Sequence, residues 1–120
     1  MGRFVELTEV REARAEWWDP GETVTIKRFS FGDRQFLMGA AMGDSARLHK
    51  GDVAVSVDIA HMNLAILERG ITRWTLKRAD GSVAPLNKES IAALTERDAE
   101  FILTEIQAYN PSGDEDSKNA

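Results

Sequence analysis

The chain has 120 residues, a formal charge of −5, no cysteine, 42% hydrophobic residues and 29% charged residues. That is the length of one domain with an ordinary globular composition. The missing cysteines exclude disulfides, thiol nucleophiles and cysteine-held zinc or iron–sulfur centres, and the acid excess argues against nucleic acid as a partner, because phosphate attracts cationic surfaces.

No apolar run reaches the roughly 18–20 residues of a membrane span. Met1-Gly2-Arg3-Phe4, soon followed by Glu6 and Glu9, has the features of neither a secretory signal nor a transit peptide. The expected compartment is the cytoplasm, with no membrane partner.

Taken in chain order, Thr8 is placed to cap a helix over residues 9–17, where Val10, Ala13 and Trp17 recur at helical spacing and Glu9 meets the helix dipole. Asp19-Pro20-Gly21 ends it in a turn. Residues 22–29 alternate, Val24 and Ile26 against Thr25 and Lys27, as a half-buried strand does. Ser30 caps the next helix, with Asp33 three positions on as an imperfect capping box. Phe31, Arg34, Leu37 and Met38 follow at helical intervals, Gly39 weakens the helix and Gly43 ends it.

Residues 43–51 read as a loop. The next segment, 52–68, opens like a strand, with Val53, Val55, Val57 and Ile59 alternating. Its length, its Asp52 cap and a wide apolar face that includes Ala60, Leu64 and Leu67 favour a helix, stopped by Gly70. Residues 71–78 return to period two, with Thr72, Trp74 and Leu76 on one face and Arg73, Thr75 and Lys77 on the other. Asp80-Gly81 signals a hairpin turn. Pro85 limits the return segment, 83–86, to a short edge strand. Asn87 caps a helix over 88–94, and Thr95 with Asp98 starts another over 96–109, ended by Asn110-Pro111.

The expected fold is α+β. A small, mostly helical single domain over residues 1–110 carries a short two- or three-stranded antiparallel sheet. A flexible, disordered polar C-terminal tail over residues 111–120 lacks the large apolar side chains that offset the entropy of ordering.

Catalytic chemistry finds no foothold in the residues. Glu96, Asp98 and Glu100 read as a solvated first helical turn rather than an acid/base pair. Asp58, His61, His49 and Asp52 lack metal-ligand spacing, so no metal is expected. No phosphate loop and no nucleophile elbow is present. The expectation is a protein that is not an enzyme, with no catalytic residue and no cofactor.

Arg73, Lys77 and Arg78 beside Trp74 could form a basic–aromatic surface of the kind single-strand binders use. The stronger reading turns Trp74 inward with Leu76 and leaves the cations in solvent, where they could also dock an acidic protein segment. For Trp17-Trp18 two readings stand: one ring packs inward while the other sits at a rim or interface, or both cover the edge of the core.

The feature series over residues 57–110 is the strongest pointer. An apolar helix leads to Gly70-Ile71 and a strand holding Trp74. Asp80-Gly81 and Pro85-Leu86 follow, then "KESIAAL" capped by Asn87, then "TERDAEFILTEIQAYNP". This series resembles the small tail assembly chaperones of long-tailed phages and prophages, and "DPGETVTIKRFSFGDRQFL" is similar to that family's opening strand and helix. The likeness spans roughly residues 19–111.

The resemblance implies a protein that binds the long helical tape measure protein, keeps it soluble and assists tail tube assembly. Such a protein acts in the host cytoplasm and is absent from the finished virion. In many such phages a programmed frameshift yields a longer form, and the polar tail sits where that extension would attach. The resemblance leaves a homo-oligomer open.

A chaperone of this kind needs exposed apolar anchors on a charged body. The candidates are Trp17, Trp18, Phe29, Phe31, Phe36 and Met42, with Arg73 and Lys77 as charged contacts. The rival readings are a structural virion component, such as a tail terminator or head–tail connector, and a small nucleic-acid-binding regulator.

Overall fold

The computed structural model describes residues 2–42 and 59–111. The loop expected over 43–51, the start of the helix expected over 52–68, and residues 112–120 of the expected tail lie outside them. The described chain runs β1 (Val10–Ala13), β2 (Val24–Lys27), α1 (Phe31–Met42), α2 (Ile59–Gly70), β3 (Ile71–Trp74), α3 (Lys88–Ala92) and α4 (Glu96–Tyr109). The strands form one antiparallel sheet in the order β1-β2-β3, and the fold is α+β.

Residues 9–17 do not form a helix. Val10 to Ala13 pair with Lys27 to Val24 as the edge strand β1. Val10, Ala13 and Trp17 have helical spacing, but Ala13 and Ala15 are the residues the core takes, and they lie two apart as on a strand. The third strand of the sheet is therefore β1. The expected return strand over 83–86 makes a single bridge, Val83 to Lys77.

Pro20 and Gly21 turn the chain from β1 towards β2. The Glu22 amide donates to the Asp19 carbonyl at 3.0 Å, and Gly21 has φ +92°, the positive value a type II turn needs at its third position.

Val24 and Ile26 are fully buried on the inner face of the sheet. Against them lie Ile102 and Ile106 of α4, also fully buried, with Ile66 and Leu67 of α2 and Ile91 of α3 in the same cluster. Each such side chain contributes about 1.5–3 kcal/mol.

β3 departs from strict alternation. Val24 faces Trp74 and Thr25 faces Arg73, but Ile26 faces Ile71, so Thr72 is the extra residue of a bulge. That slip buries Ile71 together with Trp74 and Leu76 and leaves Thr72 exposed, where alternation alone put Thr72 inward.

The helix starts follow local rules. Ser30 and Asp33 form a reciprocal box: the Asp33 amide donates to Ser30 Oγ at 3.1 Å, and the Ser30 amide donates to Asp33 Oδ2 at 2.9 Å. Asn87 caps α3 through the Ser90 amide, and Thr95 caps α4 through the Asp98 amide. α2 ends at Gly70, whose position is dictated by packing: a Cβ there would lie 2.7 Å from Ile106 Cδ1.

Candidate interaction interface

The sequence singles out eight residues. Phe29 is buried in the core just after β2, and the structure divides the other seven among three places. Trp17, Trp18 and Lys77 meet at one end of the sheet. Phe31, Phe36 and Met42 lie on α1. Arg73 stands alone in the cross-strand row Glu12–Thr25–Arg73, on the sheet face turned away from α4, with its Nε donating to Thr25 Oγ1 at 3.3 Å.

At the end of the sheet, a cleft of about 640 Å³ is lined by all three tryptophans, together with Leu76, Lys77 and Asp98. The chain bends at Trp18, whose amide donates to the Ala15 carbonyl at 3.1 Å. This bend lets neighbouring indoles reach the same acceptor. Trp17 Nε1 and Trp18 Nε1 each donate to Asp98 Oδ1 at 2.7 Å, and the Thr95 hydroxyl donates to Asp98 Oδ2 at 2.7 Å.

Burial pushes the Asp98 carboxyl up, but the Trp18 indole, the Thr95 hydroxyl and the Trp17 indole outweigh it and hold the group below its ordinary value. Asp98 is thus a structural acceptor, where the spacing alone suggested a solvated helix start. Trp18 is only 8% exposed and belongs to the core, as does Phe29, so neither is a surface anchor. Trp17 is 38% exposed, but its ring stands edge-on to Phe101 and lies under the Arg97 guanidinium at 3.8 Å. Trp74 donates from Nε1 to the Ala84 carbonyl at 2.8 Å. The polar edges of all three rings are therefore already engaged inside the fold.

α1 is different. Its buried side runs through Asp33, Leu37 and Ala41. At about 100° per residue, Phe31, Gln35, Met38 and Met42 fall within an arc of about 60° on the opposite side. Phe31 is 78% exposed and Met38 62%, while Met42 is half-buried. Phe36 sits on the flank, 45% exposed, beneath the Arg69 guanidinium at 4.4 Å.

What anchors α1 is Asp33, which sequence reasoning saw only as a cap. Lys27 Nζ lies 3.0 Å from Oδ2 and Arg69 Nε 2.9 Å from Oδ1, so one carboxylate joins β2, α1 and α2. Burial pushes this carboxyl up, but the Ser30 amide and the two cations outweigh it, and the group is lowered to about 2. A second joint that sequence reasoning missed is Asn110, which accepts from the Phe29 amide at 2.6 Å and donates to the Lys27 and Ile106 carbonyls at 3.0 Å each. Arg34 then donates to the Pro111 carbonyl at 3.1 Å. The tryptophan cleft and α1 therefore lie at opposite ends of α4.

Among the described residues no group of three or more His, Asp or Glu side chains could hold a metal ion, and no helix is long and apolar enough to cross a membrane. Comparison of the chain with family models, with curated proteins and with solved structures finds no match.

Proposed function

We propose that this chain is a tail assembly chaperone of a long-tailed phage or prophage. It binds the tape measure protein in the host cytoplasm, keeps it soluble while the tail tube is built, and leaves before the virion is finished. The observation that carries the reading is the apolar face of α1, Phe31 and Met38 above all, which no other described residue covers, on a chain of net charge −5. Exposed large apolar side chains grouped on one helix mark a protein-binding surface.

The order of elements supports the same reading. α2 passes through Gly70-Ile71 into the Trp74 strand, and the Asp80-Gly81 turn, Pro85-Leu86, the Asn87-capped α3 and the Asn110-Pro111 end of α4 follow. Binding rather than catalysis fits the carboxyls whose titration is displaced. Among the described residues, the carboxyls with displaced titration, Asp33, Asp80 and Asp98, are all lowered by hydrogen bonds within the fold, so none is held protonated as a general acid near neutrality.

Co-expression with the tape measure protein of a long-tailed phage, taken from the genome that encodes this chain, tests the proposal. The tape measure should become soluble and co-elute with this chain on sizing, and the double variant Phe31→Asp, Met38→Asp should leave it insoluble while remaining folded itself. A tape measure that stays insoluble, with this chain present as a ring in purified particles, would overturn the chaperone reading in favour of a virion component.

A further inference from the structure

The chain holds one Asp-Gly pair, Asp80-Gly81, and no Asn-Gly pair. Asp-Gly is the aspartyl sequence most prone to rearrange, because glycine has no side chain to shield its own amide nitrogen. In that reaction the Gly81 nitrogen attacks Cγ of a neutral Asp80 carboxyl. A C–N bond forms, a C–O bond breaks, and the carboxyl hydroxyl leaves as water with the amide proton. Water then opens the succinimide ring. Attack at Cγ restores aspartate. Attack at the former main-chain carbonyl leaves the chain running through the β-carbon as isoaspartate. Nothing but water takes part, and the mass does not change.

The turn needs both residues. Gly81 has φ +89°, a conformation that side chains rarely adopt, so the position calls for glycine. Asp80 ties the loop locally: its Oδ1 accepts from the Ser82 amide at 2.9 Å and from the Ser82 hydroxyl at 2.6 Å. The most reactive dipeptide in the chain is thus a requirement of its hairpin.

The same hydrogen bonds restrain both reacting groups. The Gly81 N–H donates to the Arg78 carbonyl at 2.9 Å, so its proton is engaged. The Arg78 amide donates to the Ser82 carbonyl at 2.8 Å, and Lys77 pairs with Val83. These bonds fix the peptide plane between Asp80 and Gly81, which must turn to set the nitrogen against Cγ. The hydroxyl and amide of Ser82 also hold the Asp80 carboxyl below its ordinary value, and an ionised carboxyl has no hydroxyl to lose.

We infer that Asp80-Gly81 is a latent isoaspartate site, kept closed by the folded hairpin through Ser82 and opened when the loop comes apart. Conversion adds a carbon to the main chain of a loop that short hydrogen bonds close. Just beyond the loop, the Ala84 carbonyl accepts from Trp74 Nε1 at 2.8 Å, and Lys77, Arg78 and Ala84 form one wall of the tryptophan cleft. An isomerised chain therefore loosens that wall. The site marks chains that have opened, whether or not the protein binds a tape measure.

Prolonged incubation of the full chain at neutral pH, folded in buffer or unfolded in guanidinium chloride, tests this. An endoproteinase that cuts before aspartate but not before isoaspartate, followed by mass spectrometry, reads the fraction converted at position 80. The folded chain should convert at least tenfold more slowly than the unfolded one. Ser82→Ala should convert at least threefold faster than the parent when folded, and at the parent's rate when unfolded. Ser82→Thr keeps the hydroxyl and should match the parent. The converted chain, returned to buffer, should show shifted tryptophan emission.

Equal rates in the folded and unfolded parent overturn the inference. A folded Ser82→Ala that converts no faster than the parent also overturns it, because Ser82 is then not the lock. Should Ser82→Ala fail to fold, Asp80→Asn replaces it. Its side-chain amide keeps an acceptor oxygen and loses ammonia to the same attack by the Gly81 nitrogen, which a mass increase reports after hydrolysis. Deamidation at least tenfold slower in the folded variant supports the closed hairpin, and equal rates in buffer and denaturant overturn it.

Discussion

Asp33 ties β2, α1 and α2 together through one carboxylate, and its titration converts that geometry into stability. An unfolded aspartate titrates near 3.8, and the folded group is lowered to about 2. A depressed carboxyl contributes stability that is fully present above its unfolded value and is lost as the pH falls through the folded one. The contribution is about 2 kcal/mol, disappearing between about pH 4 and pH 2. Asp33→Asn should therefore lower stability at pH 7 by about 2 kcal/mol and flatten the acid limb below pH 4, as read by urea unfolding across that range. Asp98 makes a parallel case. Asp98→Ala leaves the buried Trp18 indole without its acceptor and should cost about 1–3 kcal/mol, with a shift in tryptophan emission. Asp98→Asn keeps an acceptor oxygen and should cost less. Equal losses from the two variants would show that the charge, not the hydrogen bonds, holds the indoles.

Among the elements, the junction of α2 and β3 is the least forgiving. The helix passes into the strand with no intervening loop, and α4 crosses closely enough that a Cβ at position 70 would push the Ile106 side chain aside. Gly70→Ala should destabilise by about 1–3 kcal/mol through overpacking, and adding Ile106→Val should recover part of that loss in thermal unfolding, because the crowded atom nearest the new methyl is Ile106 Cδ1. The hairpin after β3 shows a different control. Asp80-Gly81 suggests a two-residue turn, but the Gly81 amide donates to the Arg78 carbonyl at 2.9 Å and Gly81 itself takes φ +89°. The connection is therefore a three-residue loop closed by a glycine bulge. Sequence marks where such a chain reverses, while strand pairing decides the loop length.

Across the whole molecule, one apolar cluster runs without a break from Trp18 and Trp74 at the cleft, through Val24, Ile26 and Ile102, to Ile106 and Phe29 near α1. A continuous core predicts one cooperative transition. Tryptophan fluorescence, which reports the cleft end, and far-UV circular dichroism, which reports all the helices, should give the same midpoint. A tryptophan signal that melts first would divide the molecule into two units. The cleft and α1 also differ in what they offer a partner. Every indole N–H at the cleft is bonded within the chain, whereas Phe31 and Met38 stand largely exposed among the described residues.

The sequence by itself determined the features whose causes are local. The Ser30–Asp33, Asn87 and Thr95 caps, the Pro20-Gly21 turn, the β2 strand and the α4 helix each depend on groups within four residues of one another, so their spacing carries the physics. Only the tertiary structure decided the rest. Residues 10–13 became a strand because β2 offered them a ladder, against a spacing that suited a helix. The Thr72 bulge turned Ile71 inward. Asp98 received two indoles from about 80 residues away, and Asn110 reached Phe29 across a similar separation. Of the eight interaction candidates, burial removed Trp18 and Phe29, the cleft and sheet took Trp17, Lys77 and Arg73, and Phe31, Phe36 and Met42 remained on α1. An apolar side chain reads alike in sequence whether it faces the core or a partner, and only the packing of the other elements tells the two apart.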